Sequence, residues 1–325
     1  MGQADHRDLA KSKRFQVVCG VDPAPPAGTA QLLADLGIAL ESDLQRALAR
    51  ADVEGVILAT PHALHEEQCL AVLAHGKELF CEKPLTMTGA GAARVLDACE
   101  RAGKVLGIGH ERRFEPGFEE LGRIIASGAL GKLIALEANV SHDILVALGA
   151  DNWRHNASHA PAGLMTGVGV HLTDLFIAFA GPIVEVNALT ASVASAPSVM
   201  DYTTARLAFA SGARGTLTTI SRTPFYGRFT VFGEAAWVEL VSEGNVDQGL
   251  PTRLFRRAAT ALPRKEAVFE PLDTVTLNFE AWAAAVAGET PYRFTRQQIQ
   301  NNVEVFEAIV TSAREAGRTV AISQG

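Results

Sequence analysis

The chain has 325 residues, enough for two domains of ordinary size. Hydrophobic residues make up 48% and charged residues 20%, which supplies a core and excludes a disordered, collagen-like or cysteine-stapled chain. A net charge of −7 argues against nucleic acid as the main partner.

Four cysteines occur, Cys19, Cys69, Cys81 and Cys99, with no Cys-x-x-Cys spacing. They predict buried free thiols in a reducing compartment, with neither a disulfide framework nor a metal site. The polar opening MGQADHRDLAKSKRF predicts no signal peptide. No run reaches the roughly 18 apolar residues of a membrane span, so a cytoplasmic protein is expected.

In chain order, the apolar run FQVVCGV (15–21), closed by Asp22-Pro23, predicts a buried parallel strand. Helical periodicity follows at 29–36 and 43–50, then a short strand GVILA at 55–59. A helix over 63–75 ends at Gly76, and a third strand covers Glu78–Cys81. A helix at 89–102 stops at Gly103, ahead of a fourth strand at Lys104–Gly109. This alternation predicts a doubly wound parallel sheet.

After His110 the texture changes. One helix is expected at 113–127, then long Thr- and Val-rich strands at 133–141, 184–192, 203–210, 214–221, 227–232 and 236–241. A helix at about 165–180 lies between the first two of these. The tail predicts helices near 278–287 and 296–316 and a strand at Thr319–Ile322. Residues 242–272 carry the least regular pattern, and Arg253–Lys265 is expected to be a solvated loop. The expected fold is thus an α/β nucleotide-type domain over 1–111. An α+β domain with a large, mostly antiparallel sheet follows over 112–325.

The opening is unusual for such a sheet. Residues 2–12 (GQADHRDLAKS) have the pattern of the helix that follows a glycine turn, yet no Gly-x-Gly-x-x-Gly occurs within residues 1–30. Two readings stand: an N-terminal helix on another kind of sheet, or a dinucleotide domain without its first strand and phosphate turn.

Several segments in family order resemble the glucose–fructose oxidoreductase, inositol dehydrogenase and rhizopine catabolism (Gfo/Idh/MocA) family. They are VVCGVDP (17–23), LATPHALHEEQCLAVLAHGKELFCEKPLTMT (58–88), GHERRFEPGFEEL (109–121), GALGKLIALEA (128–138) and MTGVGVHLTDLFIAFAGPIVEV (165–186). The resemblance implies an N-terminal Rossmann-type domain, a C-terminal mixed sheet, and a substrate seated between them over a nicotinamide. It also makes Gly2 the last glycine of the phosphate turn and leaves roughly ten residues lacking upstream, by a misassigned start or a real trimming. The chain as given is therefore expected to bind dinucleotide weakly.

The resemblance assigns cofactor contacts to Gly2, Asp22, Thr60, Pro61, His62, His65, Glu82 and Lys83. Asp22, ending the strand at 15–21, suits the ribose hydroxyls of NAD and would repel the 2′-phosphate of NADP. Lys83, in the Glu82-Lys83-Pro84 motif whose Lys–Pro bond is commonly cis in the family, is expected to be catalytic. His171 is the second catalytic candidate. The aspartate that the family carries four residues earlier, one helical turn away, is here Gly167. Asp174 is expected to orient His171 or to serve the helix itself. Substrate or interface roles fall to Glu82, Arg112, Arg113, Trp153 and Arg154, with His110 and Asn152 beside them. Phe225 and Tyr226 are expected to be structural.

The expected activity is an NAD-dependent hydride transfer to or from a sugar, cyclitol or cyclic diol. The alternative is a family-fold protein without turnover, acting as a ligand binder or oligomer partner. The expected partners are a small molecule and further copies of the chain, as a homodimer or homotetramer through the large sheet, without membrane or nucleic acid.

Overall fold

The computed structural model describes residues 12–148, 152, 160–195, 200–245 and 248–323. Its first half holds two small parallel sheets. In one, β1 (Cys19–Val21) pairs with β2 (Ala39–Glu41), Cys19 opposite Ala39. In the other, β3 (Gly55–Leu58), β4 (Glu78–Cys81) and β5 (Leu106–Ile108) run side by side. Among the described residues no strand links β1 to β3. Strand β2 escapes the sequence pattern because it is only three residues long.

The crossovers are α1 (Thr29–Asp35), α2 (Leu44–Leu48), α3 (His65–Ala74) and α4 (Gly89–Ala102). The Thr88 side chain accepts the Gly91 N–H at the start of α4, and Gly103, at φ 64°, closes its end. Val72, Val95 and Leu79 pack between α3, α4 and the strands, together with Cys69, Cys81 and Cys99. All four thiols are free.

Strand β5 leads through a single turn at Glu111–Phe114 into α5 (Pro116–Ala126). The second half is built on nine strands: β6 (Leu133–Ser141), β7 (Ile183–Ala191), β8 (Tyr202–Phe209), β9 (Arg214–Ile220), β10 (Tyr226–Gly233), β11 (Trp237–Ser242), β12 (Thr252–Arg257), β13 (Lys265–Phe269) and β14 (Val320–Ala321). Their order is β13-β12-β11-β10-β6-β9-β8-β7-β14, and all neighbours are antiparallel except β6 and β9.

The stretch Arg253–Lys265 is a loop only over 258–264, which are exposed. It supplies β12 and the first residue of β13, which extend the sheet at its edge. Leu254 joins the core, Phe255 on the opposite face is covered by the Arg264 guanidinium, and Arg253 pairs with Glu266 of β13 at 2.8 Å. Charges on an edge strand keep it from pairing with other chains, and they also hide its strand pattern.

Helices α6 (Val170–Ala180) and α8 (Arg296–Arg314) cover one face of the large sheet. Phe176 and Phe306 there meet Phe229, Leu217 and Val231 from the strands. Helix α7 (Thr274–Val286) instead returns to the first half. Its Trp282 packs on Phe80 and donates to Val105 O at 2.9 Å, and Asn278 donates to Ile108 O at 2.8 Å. These bonds tie the two halves together and fix the crevice between them.

Candidate active site

In an open parallel sheet the crevice lies beyond the carboxyl ends of the strands. Here those ends carry Asp22 after β1, Thr60-Pro61-His62 after β3, Glu82-Lys83 after β4 and Gly109-His110 after β5. The second half faces them with the start of α6. A π-helical turn, Met165–Gly169, leads into that helix. Such single turns recur at functional sites, because they free a carbonyl from the regular ladder.

Lys83 is 9% exposed and precedes a cis proline peptide, as the resemblance implies. Its Nζ crosses the crevice and donates to Gly167 O at 2.6 Å. A Cβ built on Gly167 would meet nothing within 4 Å, so that position opens into space. Glu82 lies beneath. Its carboxylate sits so close to Gly109 that a Cβ there would fall 2.6 Å from either oxygen. Any larger residue at 109 would have to displace the Glu82 carboxylate.

His171 lies one helical turn past Gly167 and is 4% exposed. Its Nδ1 is 3.5 Å from Nδ1 of His110, and its Nε2 is 3.7 Å from Glu111 Oε1. The other nitrogen of His110, Nε2, is 3.0 Å from the amide nitrogen of Asn302 on α8. Burial, helped by the charges of Lys83, His110 and Arg112, holds His171 well below the usual histidine range. Burial likewise brings His110 down to about 4, against the pull of Asp174. Burial pushes the Glu111 carboxyl up, with Lys83 and Arg112 opposing.

Asp174 does not orient His171. Its two oxygens are taken by Arg113, at 2.7 Å from Nε and 2.6 Å from Nη2. Arg113 also donates to Gln298 Oε1 at 2.9 Å and stacks on Phe294. This buried fork locks α6 to the turn after β5. Arg112 donates to Glu115 and Asn245, each at 3.0 Å. His65 is fully buried, and its two nitrogens face Pro84 O at 2.8 Å and Thr60 O at 3.0 Å. It ties the two loops together and has no nitrogen left for a cofactor. Thr60 Oγ1 bonds Gln68, and His62 lies edge-on to His65. Phe225 stacks on His142. Gly2, Trp153 and Arg154 lie outside the described residues.

Two family models cover most of this arrangement. One, described as an oxidoreductase family with an NAD-binding Rossmann fold, matches residues 1–110. The other, the GFO/IDH/MocA C-terminal domain, matches residues 118–239. The chain belongs to the Gfo/Idh/MocA family.

Among curated members of the family, the chain is 33% identical over 179 residues to inositol 2-dehydrogenase 2 of Saccharopolyspora erythraea, covering 53% of this chain and 49% of that one. It is 36% identical over 123 residues to 1,5-anhydro-D-fructose reductase of Ensifer adhaerens, covering 38% of this chain and 36% of the relative. The chain thus spans half the length or less of these relatives. A levoglucosan dehydrogenase solved with NADH and L-sorbose superposes with TM-score 0.86 over 100% of this chain and 96% of its own, at 20% identity. That likeness shows a shared fold.

The described residues fit the two ends of a dinucleotide of the kind the family model names. Asp22, half-buried at the end of β1, uses Oδ1 to accept the Ala24 N–H at 2.9 Å, and Oδ2 bonds none of the described residues. That leaves one carboxylate oxygen for a ribose hydroxyl. At the other end, Lys83 and the Thr60-Pro61-His62 loop border the crevice where a nicotinamide would lie. Among the described residues no group of three or more His, Cys, Asp or Glu could hold a metal ion, and no helix is long and apolar enough to cross a membrane.

Sequence reasoning missed Glu111 and Asn302. Glu111 lies inside the quoted GHERRFEPGFEEL segment, hidden among other charges. Asn302 had a signal: with Asn301 it falls on the buried side of α8, beside Ile299, Val303 and Phe306. Polar residues on an apolar helix face must find partners, and here one of them reaches the site.

Proposed function

We propose that this family member is an NAD-linked oxidoreductase that moves a hydride between the nicotinamide and a hydroxyl- or carbonyl-bearing carbon of a sugar, cyclitol or cyclic diol. One observation carries the reading: the Lys83 amine spans the crevice to Gly167 O at 2.6 Å, one helical turn from His171. Residues from both halves thereby converge at the end of the parallel strands, where a substrate oxygen can displace the carbonyl as the amine's partner. The names of the two curated relatives point to the same substrate class.

NAD, when bound, supplies the hydride acceptor, and NADH the donor. Lys83 takes the hydroxyl proton in the oxidation direction and returns it in reduction. His171 holds the same oxygen. Asp22 selects NAD over NADP by charge. Residues 1–111 bear the cofactor, and residues 112–325 bear the substrate side and the contact between copies, as a homodimer or homotetramer built on the large sheet. The compartment is the cytoplasm.

Gly167 favours a second reading, a ligand-binding family member without turnover, since position 167, one turn before His171, carries no carboxylate. Incubation with NAD⁺ and a panel of inositols, anhydro sugars and aldoses, followed by NADH absorbance, separates the two. Turnover of one of them supports the oxidoreductase. Binding of NAD and a polyol with no turnover across the panel supports the second reading.

A further inference from the structure

We propose that Asn302, acting through His110, fixes which nitrogen of His171 carries its proton: Nε2 protonated, Nδ1 bare. The inference deepens the site assignment above, yet it concerns the resting protein and needs no turnover.

Asn302 is 4% exposed, and its Nδ2 lies 3.1 Å from Val170 O. A carbonyl oxygen only accepts, so the amide must turn its NH₂ group that way. The opposite end agrees, because Oδ1 accepts the Thr173 hydroxyl at 2.6 Å. The same NH₂ faces His110 Nε2 at 3.0 Å. An NH₂ group only donates, so His110 Nε2 is bare, and a neutral His110 carries its proton on Nδ1. That proton points at His171 Nδ1, 3.5 Å away. His171 Nδ1 must then accept, which leaves its proton on Nε2, the nitrogen that faces Glu111 Oε1 at 3.7 Å.

A resting His171 therefore offers an N–H to the crevice and no lone pair. It can hold a substrate oxygen or carboxylate but cannot take a proton at Nε2. A second proton on His171 would enter at Nδ1 and set two N–H groups face to face. Burial opposes that second proton too, as do the neighbouring Lys83, His110 and Arg112, while the Glu111 carboxyl 3.7 Å from Nε2 is the acidic group facing the ring. His110 and Asn302 thus orient His171 in a way that a carboxylate partner would not. A carboxylate accepts a proton from the ring, whereas His110 donates one. Asn302 and His110 are positioning residues, and the amine of Lys83 is left to exchange the proton.

Long-range ¹⁵N–¹H correlation spectra of the whole protein, labelled at its 9 histidines and recorded at neutral pH without cofactor, read the tautomers directly. Single histidine substitutions assign the signals. The expected spectrum shows His171 protonated at Nε2 and His110 at Nδ1. Asn302→Asp replaces a donor with an acceptor of the same shape, so both rings should switch, His110 to Nε2 and His171 to Nδ1. A wild-type His171 protonated at Nδ1 would overturn the proposal. So would an N302D protein in which neither ring changes, whereas a doubly protonated His110 that still donates to His171 Nδ1 supports it. If N302D does not fold, the wild-type spectrum alone decides. A correct tautomer in a protein that turns over no polyol would leave this inference standing while removing the proposed activity.

Discussion

Lys83 Nζ donates to the main-chain carbonyl of Gly167 at 2.6 Å, joining the end of a strand in one half of the chain to the π-helical turn of the other. The bond holds an amine where a substrate hydroxyl must arrive. Removing the amine should leave the fold intact, because the carbonyl it leaves borders an open crevice. Lys83→Ala should reduce turnover about 10²–10⁴-fold, as for loss of a positioned acid or base. Steady-state kinetics with NAD affinity measured separately will check this. Near-normal turnover would remove Lys83 from the chemistry. His171→Ala should cost less, since its proposed role is to hold the oxygen.

Gly167→Asp should be tolerated. The position opens into space and has no left-handed backbone angle to preserve. The new carboxylate would stand one turn before His171 and close to the Lys83 amine. An anion there favours the imidazolium, so the His171 pKa should rise from its depressed position. NMR titration of His171 in the two proteins gives the readout. An unchanged or lower pKa would show that the carboxylate does not reach the ring.

The histidine pair makes stability depend on pH. His110 is held down to about 4 in the folded chain, from an ordinary value of 6.5. Between those values the unfolded chain binds a proton that the folded chain refuses. Unfolded protons exceed native ones, so stability falls as pH drops from 6.5 toward 4 and is fully retained above 6.5. Glu111 and Glu115, both pushed up by burial, act with the opposite sign, so a difference measurement is needed. His110→Gln removes one such proton and relieves His171 as well. Its stability should fall less steeply with acid than the wild type's, by up to about 1.4 kcal/mol per pH unit for one proton. Urea unfolding at several pH values between 5 and 7 measures the slope. Equal slopes would contradict the assignment.

Much of this site was readable in the chain because strand ends announce themselves. The apolar runs at 55–59 and 78–81 stop at Thr60 and Glu82, so the crevice residues could be placed before any coordinates. The nine-stranded sheet was legible over β6–β11, where Thr and Val alternate with buried positions. It was not legible at β12, beside the edge strand β13, where arginines resemble a solvated loop. The partner of Asp174 was not legible either. Its spacing from His171 suggested a helical neighbour, but Arg113, 61 residues upstream, satisfies both of its oxygens. Long-range pairing of charges leaves no local period. Asn302, 192 residues from His110, is hidden for the same reason.

The proposed basis of cofactor choice is Asp22. One of its oxygens is held by the Ala24 N–H at 2.9 Å, which fixes the carboxylate at the end of β1. A 2′-phosphate brought to that point would meet a fixed negative charge, whereas a ribose hydroxyl would donate to the remaining oxygen. Hydrogen bonds to charged groups contribute roughly 1.5–3 kcal/mol, which is about 10–100-fold in affinity. Asp22→Ser keeps a short polar side chain that can still accept from the Ala24 N–H, so the turn should survive. The variant should lose about that factor for NADH and gain for NADPH. Calorimetric titration of both proteins with both cofactors tests it at a single salt concentration, because charge repulsion weakens as salt rises. A wild type that prefers NADPH, or a variant whose preference is unchanged, would show that the carboxylate at the end of β1 does not read the ribose.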